Sequence, residues 1–177
     1  MIFRVDTGAL KLTLNGLSVP CTIGKGGACP AQAKREGDGR TPLGRWPVRG
    51  ALIRPDRVRL DQPPLIPWRW LRPDDGWSDD PADPAYNRPV RLPYGPSHEQ
   101  LWRDDRAYDI VIVLGHNDAP PVPGMGSAIF FHQTVIGTDG APKATEGCVA
   151  IAPEDMRAVL PLLTPGIMME IGRTEIV

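Results

Sequence analysis

The chain has 177 residues and a mass of 19.3 kDa, the size of one domain, which buries about 70% of the surface its unfolded chain exposes. Apolar residues make up 41% of it and five are Trp, which excludes a disordered chain even though 19 Gly and 21 Pro predict many loops. A net charge of -1 and a pI near 6.3 supply no field to recruit nucleic acid or an anionic membrane, and no apolar run approaches the ~18 residues of a membrane span.

Met1-Ile-Phe-Arg-Val-Asp-Thr7 lacks the basic, apolar and small-residue regions of a secretory leader. As written, the chain is expected in the cytoplasm, or in the periplasm if a leader has been removed or export is non-standard. Leu10 to Val19 alternates apolar and polar residues about Asn15-Gly16, a hairpin signal. Gly24 to Gly44 is turn material, with glycines for positive φ and Pro42 fixing its own, and predicts a shaped loop on one rim. Pro55 to Pro96 predicts a long, ordered but irregular excursion, rich in Trp, Tyr and Pro.

Tyr108 to Gly115 reads as a buried strand and Ser127 to His132 as a second, with His132 at its end. Pro153, followed by Glu154 and Asp155, starts a short helix that runs to about Leu163 and stops at Pro165-Gly166, and Ile167 to Gly172 is a last strand. With no internal repeat and no linker, residues 1–177 are expected to form one mainly β domain with one or two short helices.

Three cysteines, Cys21, Cys29 and Cys148, are too few for a disulfide framework and leave at least one thiol free. Only sixteen residues separate His132 at the end of an apolar strand from Cys148 in Thr145-Glu-Gly-Cys. A thiol with pKa near about 8.5 needs an adjacent imidazole to take its proton, so Cys148 reads as nucleophile and His132 as base. Gly147 lets the backbone approach closely, and the amides around Gly147 and Cys148 are assigned to the developing oxyanion.

Ser127-Ala-Ile-Phe-Phe-His132 followed by Thr145-Glu-Gly-Cys148 resembles the signature of YkuD-type L,D-transpeptidase domains, a strand-borne His before Ser/Thr-x-Gly-Cys. Glu36-Gly-Asp-Gly-Arg-Thr-Pro-Leu-Gly44 is similar to a loop of the same family, and the likeness covers most of the chain. It implies a mainly β sandwich with Cys and His in a cleft, Cys148 as nucleophile, His132 as base and Thr145 as the motif hydroxyl. The chain departs from many members at Glu146, where they have His, and at Ala150, where they have Arg or Asn. A carboxylate at Glu146 is expected to raise the thiol's pKa or keep His132 protonated. The resemblance implies acyl transfer on peptidoglycan stem peptides or muropeptides without cofactor or metal. Cys148 attacks the carbonyl at the L-centre of diaminopimelate and expels D-alanine, and the thioester is resolved by an amine (transpeptidase) or by water (L,D-carboxypeptidase, the outcome favoured by a cytoplasmic setting).

Substrate contacts are assigned to Thr145, Glu146 and Asn117, the last because its loop leads to the His132 strand. His116 reads as a loop residue, the acids from Asp74 to Asp83 as solvated turns, and Cys21 and Cys29 as structural thiols, while Trp77 and Tyr86 are left unassigned. Two alternatives remain: a catalytically degenerate module that binds wall peptide, and a metal-dependent hydrolase using His98, His116, His132 and a Cys.

Overall fold

The computed structural model describes residues 3–173; Met1 and Ile2, part of the stretch read for a leader, lie outside them. The chain opens with β1 (Phe3–Asp6), β2 (Lys11–Leu14) and β3 (Leu17–Pro20). Asn15 and Gly16 both take positive φ, 50° and 85°, the requirement of a two-residue type I′ turn, and Leu14 pairs with Leu17 across it. The following turn-rich segment contains a short strand, β4 (Ala28–Pro30), laid parallel to the start of β5 (Thr41–Ile53).

β5 builds the sandwich. Its first half pairs with β13 (Met168–Gly172) through Gly44 to Pro47, and its second half pairs with β10 (Ile110–Leu114) through Val48 to Ile53. One 13-residue strand thus serves two half-sheets, in the order β12-β11-β10-β5-β13-β1-β2-β3, where β11 is Phe130–Gln133 and β12 is Val149–Ile151. The halves face each other across a core of alternate residues: Phe3, Val5, Leu12 and Leu14 from one side meet Ile110, Ile112, Phe131 and Ile151 from the other. The rings of Phe3 and Phe131 touch edge to face at 5.3 Å.

α1 (Pro153–Val159) has Pro at its first turn and Glu154 and Asp155 beside its N-terminus, and it buries Met156 and Val159 in this core before one 3-10 turn at Leu160–Leu162. The second predicted strand is shorter than expected, because residues 127–129 enter it in an irregular conformation with Ala128 at φ 50°.

The long excursion is less irregular than the sequence suggests. It contributes β6 (Trp68–Trp70), parallel to β5, and two strands, β7 (Asp75–Ser78) and β8 (Pro89–Arg91), of a three-stranded sheet that β9 (His98–Gln100), just past its end, completes on the other edge of β7. Two of its acids are not solvated. Asp75 is buried and accepts both guanidinium nitrogens of Arg69, at 2.7 and 3.0 Å, while buried Asp83 accepts Ser78 Oγ at 2.5 Å and Tyr94 Oη at 2.7 Å. Burial works against the charge of Asp75, yet the hydrogen bonds from Arg69 and Arg72 hold its carboxyl below the ordinary value. Arginines of the same segment supply the partners that turn a solvated acid run into buried ion pairs.

Candidate active site

β11 and β12 run parallel, with His132 opposite Ala150 and Phe131 opposite Val149. Because side chains alternate along a strand, Phe131 points into the core while Phe130 and His132 point out of it. Cys148 stands two residues before Ala150 and so shares that outer face. The Phe130 amide donates to Cys148 Sγ at 3.3 Å, and the thiol donates to Ala128 O at 3.3 Å. Pairing register, rather than the length of the intervening loop, brings thiol and imidazole to one side of the sheet.

The loop before Cys148 is held from two directions. Thr145 Oγ1 donates to Cys148 O at 2.7 Å and accepts the Gly147 amide at 3.2 Å. Thr41 Oγ1 donates to the same carbonyl at 3.3 Å and accepts the Gly24 amide at 2.8 Å, which ties the Thr-Pro loop to Cys148. Gly147 has φ 137°, and a Cβ there would lie 2.9 Å from Arg40 O, so glycine is demanded twice over. Its amide is engaged by Thr145, whereas the Cys148 amide donates to no group among the described residues. Of the two amides expected to face an oxyanion, that of Cys148 is thus the one left available, while Gly147 permits the turn.

His132 is buried, with Nδ1 2.8 Å from Gln133 O. A carbonyl only accepts, so Nδ1 carries the proton and Nε2 keeps the lone pair. Burial pushes the imidazole down to about 4, against the pull of the Gln133 carbonyl. Burial likewise pushes the Cys148 thiol up to about 12, with the Glu99 carboxylate adding to the rise and the Phe130 amide opposing it. Near neutrality the pair is a thiol facing a neutral imidazole. Among the described residues no direct hydrogen bond links them, but both line one cleft of about 570 Å³.

Glu146 does not act as its place in the motif suggests. It extends into solvent at the cleft rim and pairs with Lys25 Nζ at 2.8 Å. The carboxylate that bears on the thiol is Glu99 of β9, a residue that no motif singles out. Glu99 accepts the hydroxyl of Tyr108, whose ring stands edge to face against His132 at 5.1 Å. Arg103, with Nε 3.0 Å and Nη2 2.5 Å from Asp105, sits over the Tyr108 ring at 5.1 Å. All four line the cleft with Thr145 and Ala150.

Asn117 does not line the cleft. Its amide donates to Val122 O and Gly126 O, both at 2.9 Å, and its Oδ1 accepts the Val122 amide, so it closes its own loop. A different asparagine touches the site. Asn87 is buried in the excursion; it accepts Trp77 Nε1 at 2.9 Å and the Ala128 amide at 3.1 Å, and donates to His116 O at 3.1 Å and Asn117 O at 2.7 Å. Trp77 in turn packs edge to face on Phe130 at 5.2 Å, and Tyr86 donates to Glu36 at 2.5 Å.

Among the described residues no three His, Cys, Asp or Glu are grouped to hold a metal. His98 bonds Pro96 O and His116 bonds Met125 O, so the three histidines are not brought together. Cys21 and Cys29 are buried and unlinked. A second groove, of about 620 Å³ between Pro55–Pro63 and the indoles of Trp68 and Trp70, holds neither His nor Cys.

No curated protein matches the sequence. Among solved structures, the chain is similar to an L,D-transpeptidase from Mycobacterium smegmatis, with 11% identity and a TM-score of 0.44 over 97% of this chain and 58% of that one. It is also similar to Mycobacterium tuberculosis L,D-transpeptidase 1, with 12% identity and a TM-score of 0.39 over 97% of this chain and 60% of that one. The chain thus spans somewhat under two thirds of the length of either. The sequence pattern of the L,D-transpeptidase catalytic domain, YkuD, matches residues 3–171. The chain belongs to the YkuD family of L,D-transpeptidase catalytic domains.

Proposed function

We propose that the protein is a cysteine acyltransferase acting on peptidoglycan stem peptides. The observation that carries this reading is the β11–β12 register, which sets Cys148 Sγ and the imidazole of His132 on one face of the cleft.

With a thiol near about 12 and an imidazole near about 4, a preformed thiolate–imidazolium pair is not the resting state. Attack and proton transfer are therefore coupled. Sγ bonds to the carbonyl carbon at the L-centre of diaminopimelate as Nε2 of His132 takes the thiol proton. The oxygen becomes an oxyanion opposite the Cys148 amide. Collapse breaks the bond to D-alanine, whose departing nitrogen receives the proton back from His132. An amine of a second stem then displaces Sγ to form a crosslink, or water displaces it to release a tripeptide. The acceptor carries the compartment with it: release by water fits murein recycling in the cytoplasm, and crosslinking fits the wall outside the membrane.

The test is incubation with a diaminopimelate-containing tetrapeptide, with and without a second stem, followed by mass, using Cys148→Ala as control. Tripeptide regardless of acceptor establishes an L,D-carboxypeptidase and a crosslinked dimer a transpeptidase. Absence of any Cys148-dependent product, with tetrapeptide still bound, replaces both by the binding-module reading.

A further inference from the structure

We infer that Tyr108 is a positioning residue for His132, tethered through its hydroxyl by Glu99, so that the three-stranded sheet sets the geometry of the nucleophile pair. This rests on the catalytic reading above and adds residues outside the motif to it.

Tyr108 lies between the two groups that matter. Its ring meets the imidazole edge to face at 5.1 Å and meets Phe130, the neighbour of Cys148, at 5.9 Å. A ring in that place limits rotation of the imidazole about its side-chain torsions, alongside the Gln133 carbonyl at Nδ1 and the Ala107 backbone, which also bears on the imidazole. Tyr108 itself is held on two sides: Glu99 accepts its hydroxyl, and the Arg103 guanidinium lies over its face at 5.1 Å, braced by Asp105 and 3.7 Å from Glu99. Glu99 belongs to β9, paired with β7 through Trp77, and Trp77 packs on Phe130. The three-stranded sheet therefore grips the outer face of β11 at two adjacent rings.

The charges facing the thiol are Glu99 from β9, Arg103 from the following loop and Lys34 from the segment before β5; those facing His132 are Arg103 and Asp105. Burial, with Asp79 and Glu36 of the same cleft adding to it, raises the Glu99 carboxyl above its ordinary value. Glu99 is the anion among those facing the thiol, so it also opposes ionisation of Cys148. Glu99→Gln keeps an acceptor for the Tyr108 hydroxyl and removes the charge, whereas Tyr108→Leu removes the ring and the tether.

Two readouts need no peptide: the tautomer of His132 by side-chain nitrogen NMR, and the rate of Cys148 alkylation by iodoacetamide at pH 8 by intact mass, with Cys148→Ala as blank. We expect a single Nδ1–H tautomer in the wild type and in Glu99→Gln, and mixed tautomers with slower turnover in Tyr108→Leu. Glu99→Gln should alkylate measurably faster than wild type, because removing the carboxylate that opposes ionisation lowers the thiol pKa. If Tyr108→Leu does not fold, Tyr108→Phe takes its place, keeping the ring and losing the tether, with a smaller tautomer mixture expected. An unchanged tautomer and turnover in the Tyr108 variant, or wild-type alkylation in Glu99→Gln, overturns the inference. A wild type that passes both readouts yet releases no D-alanine refutes the proposed reaction and leaves the positioning role standing.

Discussion

Replacing Thr145 by Val keeps the shape of a buried side chain and deletes one oxygen that serves two bonds. The Gly147 amide loses its acceptor, and an unpaired buried N–H costs about 1–3 kcal/mol. The Cys148 carbonyl loses its shorter donor but keeps Thr41 at 3.3 Å, a loss of about 0.5–1.5 kcal/mol. Together the change is about 2–4 kcal/mol, which for a chain of this length lowers Tm by about 5–15 °C. Activity should fall further, by about tenfold or more, because the loop that aims Sγ and the Cys148 amide is loosened. Thermal unfolding and D-alanine release on Thr145→Val and Thr145→Ser check this. Thr145→Ser, which retains the oxygen, should recover most of both. A Tm within about 1 °C of wild type for Thr145→Val, or a Thr145→Ser variant as poor as Val, refutes the argument that this hydroxyl holds the nucleophile loop.

Gly147→Ala should lose nearly all activity and lower Tm, since its φ of 137° strains an L-residue and its Cβ would press on Arg40 O at 2.9 Å; a fully active variant would show that the turn relaxes. Asn87→Ala removes four hydrogen bonds, three of them buried, and should cost about 3 kcal/mol or more by urea unfolding, with activity reduced through Ala128, the acceptor of the Cys148 thiol. The pH profile of kcat/KM follows from His132: its pKa lies near about 4, the neutral form is the base, and activity should rise as pH climbs through about 4 and then stay level from about pH 6 to 8. An acidic limb near the ordinary imidazole value of about 6.5 would refute a buried, neutral His132.

The strand carrying His132 was legible because its apolar run and the short step to Thr145-Glu-Gly-Cys148 are local signals. The hairpin at Asn15-Gly16 and the helix at Pro153 were legible for the same reason. Local reading failed where partners are far apart in sequence. Asn87 meets Ala128 across 41 residues, and nothing near Asn87 announces that contact. Asn117 was placed in the cleft by proximity to the strand, whereas its amide satisfies the backbone of its own loop. Glu99 and Tyr108 are only nine apart, but one lies on β9 and the other in the turn before β10, so no periodicity couples them. The acids Asp75 and Asp83 looked solvated because a single sequence does not reveal which arginines and hydroxyls will fold over them.

The strand order has a consequence for how the chain is made. β13 lies between β5 and β1, pairing antiparallel with one and parallel with the other. It leaves the ribosome after every other strand of that sheet. Until then β1 has no partner on its inner edge. The inner edge of β1 and the first half of β5 are closed by β13 only once synthesis has passed residue 172, so a nascent chain must keep these open sheet edges from pairing with neighbours until then. Ribosome-bound fragments ending before β13 should accordingly expose those edges to chaperones, and the completed chain should withdraw them.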